Sequence, residues 1–275
     1  MSEKQHVIIT GGSSGIGKAT AEIYAAKGAD ISIIARRVDV LEAAKTDIDR
    51  ARNGGEGRTF IYSADVSDRA AITTAIDQAT AAAGVADILI TSSGIAVPGY
   101  FEDIPEDSFE RHMQVNYFGT LWAIRAALPG MRARGSGQIV LVSSGAGLIG
   151  IFGYTNYSPT KFALRGLAES LVGEVKQDGV AVSIVYPPDT DTPQLHAENK
   201  TKPEETKAMT ATAKMWTAQG VAEIIVKGIE KRKFCIGPGW EMTWLARLHS
   251  MIRPVLFWEF DRLARKVQKS RDERL

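Results

Sequence analysis

Short runs of aliphatic and β-branched residues recur along this chain, separated by longer stretches in which apolar residues return every three or four positions. The runs predict strands over residues 6–10, 30–35, 58–64, 88–91, 138–143, 181–186 and 233–237. The stretches between them predict helices that begin near Ile16, Asp39, Arg69, Glu106, Thr155 and Thr217. Val7, Ile8 and Ile9, and again Ile139 to Val142, form unbroken apolar runs, the pattern of strands covered on both faces. Alternating strand and helix units of this kind imply an α/β fold, a mainly seven-stranded parallel sheet wound on both sides by helices. No linker or repeat divides the pattern, so residues 1–238 are expected to form one catalytic domain.

Two segments depart from the alternation. Residues 189–216, which follow Pro187-Pro188 in PPDTDTPQLHAENKTKPEETK, are polar and punctuated by proline, with a short helical pattern up to Met215. A segment that follows a strand of a parallel sheet lies at the edge where ligands bind, so a lid over substrate is expected, with a solvated loop as the alternative. The second segment is the extension 239–275. Trp240, Met242, Trp244, Leu245, Leu248, Met251 and Ile252 precede Pro254, and Phe260, Leu263, Ala264 and Val267 follow it at amphipathic spacing. Arg262, Arg265, Lys266, Lys269 and Arg271 lie on the polar side, a mixture suited to an anionic membrane surface or to packing on the protein or a second subunit. Arg247 and Arg253 argue against a spanning helix.

Charge and cysteine content narrow the setting. The net charge is +1, which gives no reason to expect nucleic acid. A single cysteine excludes an internal disulfide, and the strand pattern begins too early for a cleavable leader, so a cytoplasmic protein is expected. The four histidines lack metal-ligand spacing, and no metal site is expected.

The first strand runs into TGGSSGIG at residues 10–17, and a helix follows. Glycine there permits a tight turn and close backbone approach, while the helix N-terminus attracts a pyrophosphate. Gly11, Ser13, Ser14, Gly15, Ile16 and Gly17 are therefore candidate dinucleotide contacts in a Rossmann-like fold. The second strand ends in Ala35 followed by Arg36 and Arg37. A carboxylate at that place would hold the adenosine ribose, whereas an arginine can pair with a 2′-phosphate, so NADP(H) is favoured over NAD(H).

Tyr157 and Lys161 stand four residues apart, which on a helix sets the ammonium one turn beyond the phenol. A nearby fixed cation lowers a phenol's pKa from its usual value of about 10, making Tyr157 a candidate acid or base for hydride chemistry at a carbonyl.

The glycine loop together with Tyr157-Ser158-Pro159-Thr160-Lys161 resembles the short-chain dehydrogenase/reductases over nearly the whole chain to about Gly237. That resemblance implies that Ser144 binds the substrate oxygen and Tyr157 protonates it. It further implies that Lys161 holds the nicotinamide ribose and that Asn116, in VNYFG, completes a proton relay. Asp65 and Val66 match the pair that holds adenine. Two departures stand out. The expected asparagine-rich motif after the fourth strand reads Thr91-Ser92-Ser93-Gly94, which keeps Gly94 near the cofactor. The usual proline-glycine after the sixth strand is Pro187-Pro188, which removes a backbone donor but leaves Thr190 and Thr192 as possible cofactor contacts. YPPDTDTP and FGYTNYSPTKFALRGLAESL are similar to the branch of the family that reduces 3-ketosphinganine with NADPH. A long-chain keto-amine substrate is thereby implied, with Asp189 and Asp191 available to its amine, and 3-oxoacyl or steroid ketones are the alternatives. The family resemblance also implies a homodimer or homotetramer.

Overall fold

Val7, Ile8 and Ile9 are completely buried, and strands of this composition occupy the middle of the molecule. In the computed structural model, residues 4–211 and 214–273 are described. Residues 1–3, residues 212 and 213 of the expected lid, and residues 274 and 275 lie outside them.

Strands β1 (His6–Thr10), β2 (Asp30–Ala35), β3 (Thr59–Ser63), β4 (Ile88–Thr91), β5 (Gly137–Val142) and β6 (Val180–Val185) are joined by β9 (Cys235–Ile236) in one sheet. Its order is β3-β2-β1-β4-β5-β6-β9 and every pairing is parallel. Strand side chains alternate between two cores. Val7, Ile9, Ile31, Ile33, Val140 and Val142 meet α1 (Gly15–Ala26), α2 (Val38–Ala51) and α9 (Ala218–Glu230) on one face. Ile8, Leu89, Ile139, Leu141, Val182 and Ile184 meet α3 (Arg69–Ala83), α5 (Gly119–Arg134) and α6 (Ser158–Val175) on the other. The chain builds outward from β1 to β3 and then resumes at β4 on the opposite side of β1. A crevice therefore opens at the strand ends between β1 and β4, where such folds take their ligands.

Several expectations change in detail. The helix predicted from Glu106 is a composite: α4 (Glu106–His112) passes through a π-helical stretch, Met113–Phe118, into α5. The helix predicted near Thr155 begins at Ser158, with Pro159 in its first turn, where a missing N–H costs nothing. The last strand shrinks from five expected residues to Cys235–Ile236.

The lid segment is more ordered than its composition suggests. It contains α7 (Pro193–Glu198) and α8 (Glu204–Thr210), and its ends are tied together where β7 (Thr190–Asp191) pairs in parallel with β8 (Trp216–Thr217). The extension forms one helix, α10 (Gly239–Asp272), which continues through Pro254. Met242 is buried and its terminal methyl faces Gly145, while at the far end Arg271 donates to Tyr100 Oη (2.6 Å) and Glu205 Oε1 (3.3 Å). Phe260, Leu263, Ala264 and Val267 are half-buried rather than presented outward. The exposed apolar side is a different one: Trp240, Trp244, Met251, Val255 and Trp258, all within about 60° of one another at 100° per residue.

Candidate active site

The crevice is a cavity of about 570 Å3 that runs from the glycine loop to the lid. Of the residues singled out in the sequence, Gly11, Ser13, Ser14, Gly15, Ile16, Arg36, Arg37, Asp65, Val66, Gly94, Ser144, Tyr157, Lys161, Thr190 and Thr192 all line it. Gly17 and Asn116 stand behind its wall.

The loop is shaped by two close approaches. Gly11 has φ +71°, and a Cβ there would fall 2.7 Å from Ser93 N. A Cβ on Gly17 would fall 2.3 Å from Gly11 O. These contacts press the first turn of α1 against the end of β1, directing the helix N-terminus into the cavity. That turn carries no acidic side chain, and Ser14 at its cap makes no side-chain capping bond. The cradle therefore suits an anionic pyrophosphate. At the next strand end, Arg36 Nη1 lies 3.8 Å from Asp65 Oδ2. Asp65 Oδ1 accepts from Ser67 N and Ser67 Oγ, and against partial burial these bonds and the charges of Arg36 and Arg111 together hold its carboxyl below the usual range.

At the other end, Tyr157 caps α6 and Lys161 sits in its first turn, with the ammonium 5.5 Å from the phenol ring centroid. Lys161 Nζ donates to Val142 O at 3.1 Å. Of the two serines after β5, Ser143 gives its hydroxyl to Lys161 O (3.0 Å), whereas Ser144 opens a 3-10 turn, Gly145–Gly147, and accepts from Ala146 N (3.2 Å). Ser144 therefore spends no hydroxyl proton on the backbone. Asn116 is fully buried in the π-helical stretch: Oδ1 accepts from Ile95 N (2.8 Å), and Nδ2 donates to Ile95 O (3.0 Å) and Thr160 Oγ1 (3.0 Å). These bonds tie the loop after β4 to α6. A Cβ on Gly94 would lie 3.3 Å from Asn116 Oδ1 and 3.6 Å from Lys161 Nζ, so Gly94 floors the space between them.

The electrostatics differ from the expected lowering of the phenol. Burial pushes Tyr157 well above the usual phenol range; Glu198 adds to this, and Ser144 and Gln194 oppose it. Burial also lowers the Lys161 ammonium to about 8, against the pull of Glu198. In this site desolvation dominates, and the phenol holds its proton through neutral pH.

The lid supplies residues that the sequence did not reveal. Glu198, Gln194 and Leu195 of α7 line the cavity beside Tyr154 and Asp189. Thr192 caps α7 by accepting from Leu195 N (3.3 Å), and Thr190 donates to Pro188 O (2.8 Å). Asp191 is exposed and paired with His196 at 2.7 Å, outside the cavity lining, so it is not placed to meet a substrate amine. The spacing of Leu195 and Glu198 after the Thr192-Pro193 helix start was the available signal for this wall. Among the described residues no group of His, Cys, Asp and Glu side chains is arranged to hold a metal ion.

The chain belongs to the short-chain dehydrogenase family, whose model matches residues 5–203, and it is an oxidoreductase of a fold that binds a nicotinamide cofactor. Within that family it is 41% identical to a 3-dehydrosphinganine reductase of Danio rerio over 251 residues, 91% of this chain and 76% of the relative. It is 40% identical to a 3-ketodihydrosphingosine reductase of Dictyostelium discoideum over 271 residues, 94% of this chain and 81% of the relative. Among solved structures it is similar to levodione reductase, with TM-score 0.77 and 25% identity, covering 85% of this chain and 95% of that one.

Proposed function

We propose that this protein reduces the 3-keto group of 3-dehydrosphinganine to the alcohol of sphinganine, using NADPH as the hydride donor. The observation that carries the proposal is the meeting of Ser144, Tyr157 and Lys161 at the lid end of a cavity whose other end is the glycine loop. The similarity to reductases of that ketone over 91% of the chain directs the choice of substrate.

The cradle of residues 11–17 fits the pyrophosphate, Asp65 and Val66 the adenine, and Arg36 and Arg37 the 2′-phosphate that distinguishes NADP(H). Lys161 fits the nicotinamide ribose, beside Gly94, Thr190 and Thr192. When bound, the cofactor supplies a hydride to the carbonyl carbon. Ser144 donates to the ketone oxygen and fixes its position. Tyr157 delivers the proton to that oxygen as negative charge grows there, a contribution of about 10²–10⁴ in rate for a positioned acid. Its high phenol pKa keeps it protonated until the oxygen becomes basic. Lys161 then stabilises the phenolate, and Asn116 lies on the route by which the proton is replaced.

The aromatic stripe of α10, continued by Arg262, Arg265 and Lys269, supports seating of the helix on an anionic membrane surface, where a long-chain ketone would partition. No described helix is long and apolar enough to cross a membrane. The single cysteine supports work on the cytoplasmic face, and assembly as a homodimer or homotetramer is proposed on the family resemblance alone. The reading is tested by comparing 3-dehydrosphinganine with a 3-oxoacyl thioester and a ketosteroid under NADPH. Preference for the first by at least tenfold in kcat/KM is expected, and turnover confined to either of the others would discard the sphingoid substrate.

A further inference from the structure

One buried carboxylate in the cavity wall takes no part in the transfer of hydride or proton. Glu198 ends α7 and is 8% exposed. Its Oε2 accepts from Tyr154 Oη at 2.7 Å and its Oε1 from Gln194 Nε2 at 2.9 Å. Both donors are neutral, and among the described residues no Lys, Arg or His forms an ion pair with it. The buried Lys202 pairs with Asp189 at 3.8 Å instead, and Lys161 donates to Val142 O. The substrate end thus holds two carboxylates, Asp189 and Glu198, beside the ammonium groups of Lys202 and Lys161, neither of which forms an ion pair with Glu198.

A buried carboxylate held only by neutral donors is costly to the fold. Burial accordingly raises the Glu198 carboxyl above its ordinary range. Its charge also raises the Tyr157 phenol, which hinders proton delivery. A cation placed between the two relieves both effects. The Tyr154 and Tyr157 rings lie 5.6 Å apart between centroids, and the charge of Glu198 reaches the Tyr157 phenol.

We propose that Glu198, oriented by Tyr154 and Gln194, recognises the ammonium group on the carbon adjacent to the reacting ketone and so selects α-amino ketones over plain ketones. The inference rests on the proposed 3-dehydrosphinganine reduction, in which the amine is borne by the carbon next to the carbonyl. Glu198 acts here as a specificity residue, and the proton transfer stays with Tyr157.

The test compares 3-dehydrosphinganine with its deamino counterpart, a long-chain 1-hydroxy-3-ketone, in the wild type, Glu198→Gln and Tyr154→Phe. Glu198→Gln is expected to lower kcat/KM for the amino ketone about thirtyfold more than for the deamino ketone, chiefly through KM, as loss of a charge-assisted bond dictates. Tyr154→Phe should shift the ratio in the same direction by less. Equal losses on both substrates in Glu198→Gln would overturn the assignment. NADPH fluorescence checks that the variant is folded. If it is not, inhibition of the wild type decides: octadecylamine should inhibit at least tenfold better than octadecanol, and equal inhibition overturns the inference. A wild type that reduces neither ketone, or only the deamino ketone, overturns the functional reading itself. One that reduces the amino ketone with an unmoved ratio in Glu198→Gln overturns only the role of Glu198.

Discussion

Lys161 lies one turn beyond Tyr157, with its ammonium 5.5 Å from the centre of the phenol ring, and both side chains are buried. Burial works on them in opposite directions: the phenol is held protonated and the ammonium is pushed toward neutrality. The pair is thus set for proton donation, and its weak point is the charge on Lys161.

That weakness fixes a pH dependence. The Lys161 ammonium, lowered to about 8, is charged below that pH and neutral above it, while Tyr157 stays protonated beyond it. The kcat/KM for ketone reduction is expected to be level from pH 6 to 7.5 and to fall as pH rises through about 8. A profile still level at pH 9.5 would contradict this.

Stability responds with the opposite sense. Because the folded state binds the Lys161 proton less tightly than the unfolded chain, the charge destabilises the fold fully below about pH 8. This cost fades as pH rises toward the lysine value of about 10.4. Lys161→Met should therefore melt a few degrees higher at pH 7, on the order of 1–2 kcal/mol, while losing turnover. A lower Tm for this variant, measured by calorimetry at pH 7, would show that Lys161 stabilises the fold.

Arg36 tests the choice of cofactor. Arg36→Ala is expected to weaken NADPH binding by about ten- to a hundredfold, the worth of a charge-assisted pair, with little effect on NADH. Titration by fluorescence distinguishes this from an equal loss on both, which would remove the phosphate contact.

The glycine loop gives a steric prediction. A Cβ at residue 17 would sit 2.3 Å from Gly11 O, so Gly17→Ala must displace the loop or the helix. NADPH affinity should fall at least tenfold and stability by about 1–3 kcal/mol, as overpacking generally costs. Wild-type affinity in a titration of this variant would mean that the loop does not form the cofactor cradle.

Much of this was legible beforehand because its causes are local. The apolar runs at β1 and β5 mark buried strands, and Tyr157 and Lys161 are related by helical spacing alone. The less legible parts depend on distant partners. Thr190–Asp191 and Trp216–Thr217 are too short to read as strands, yet they pair across the lid and close it into a loop. Glu198 sits in a polar sequence where a solvated residue is the ordinary expectation, and only the fold of α7 buries it against Tyr154. In α10 the periodicity revealed an amphipathic helix but not which side faces the protein. The side carrying Phe260, Leu263 and Val267 is half-buried, and the tryptophan stripe is left outward.

That stripe carries its own prediction. Replacing Trp240, Trp244 and Trp258 by serine should reduce partition onto phosphatidylserine vesicles more than tenfold, since apolar area and basic charge act together at such surfaces. Sedimentation with vesicles measures it, and unchanged partition would assign the stripe to protein contact.

The central claim is that Tyr157 protonates the 3-keto oxygen of 3-dehydrosphinganine during NADPH oxidation. The most direct measurement follows sphinganine by mass against NADPH consumed, in the wild type and in Tyr157→Phe. One sphinganine per NADPH in the wild type is expected, with turnover at least about a hundredfold lower in Tyr157→Phe while NADPH binding persists. Undiminished sphinganine formation by Tyr157→Phe, or NADPH oxidation by the wild type without sphinganine, would contradict the account.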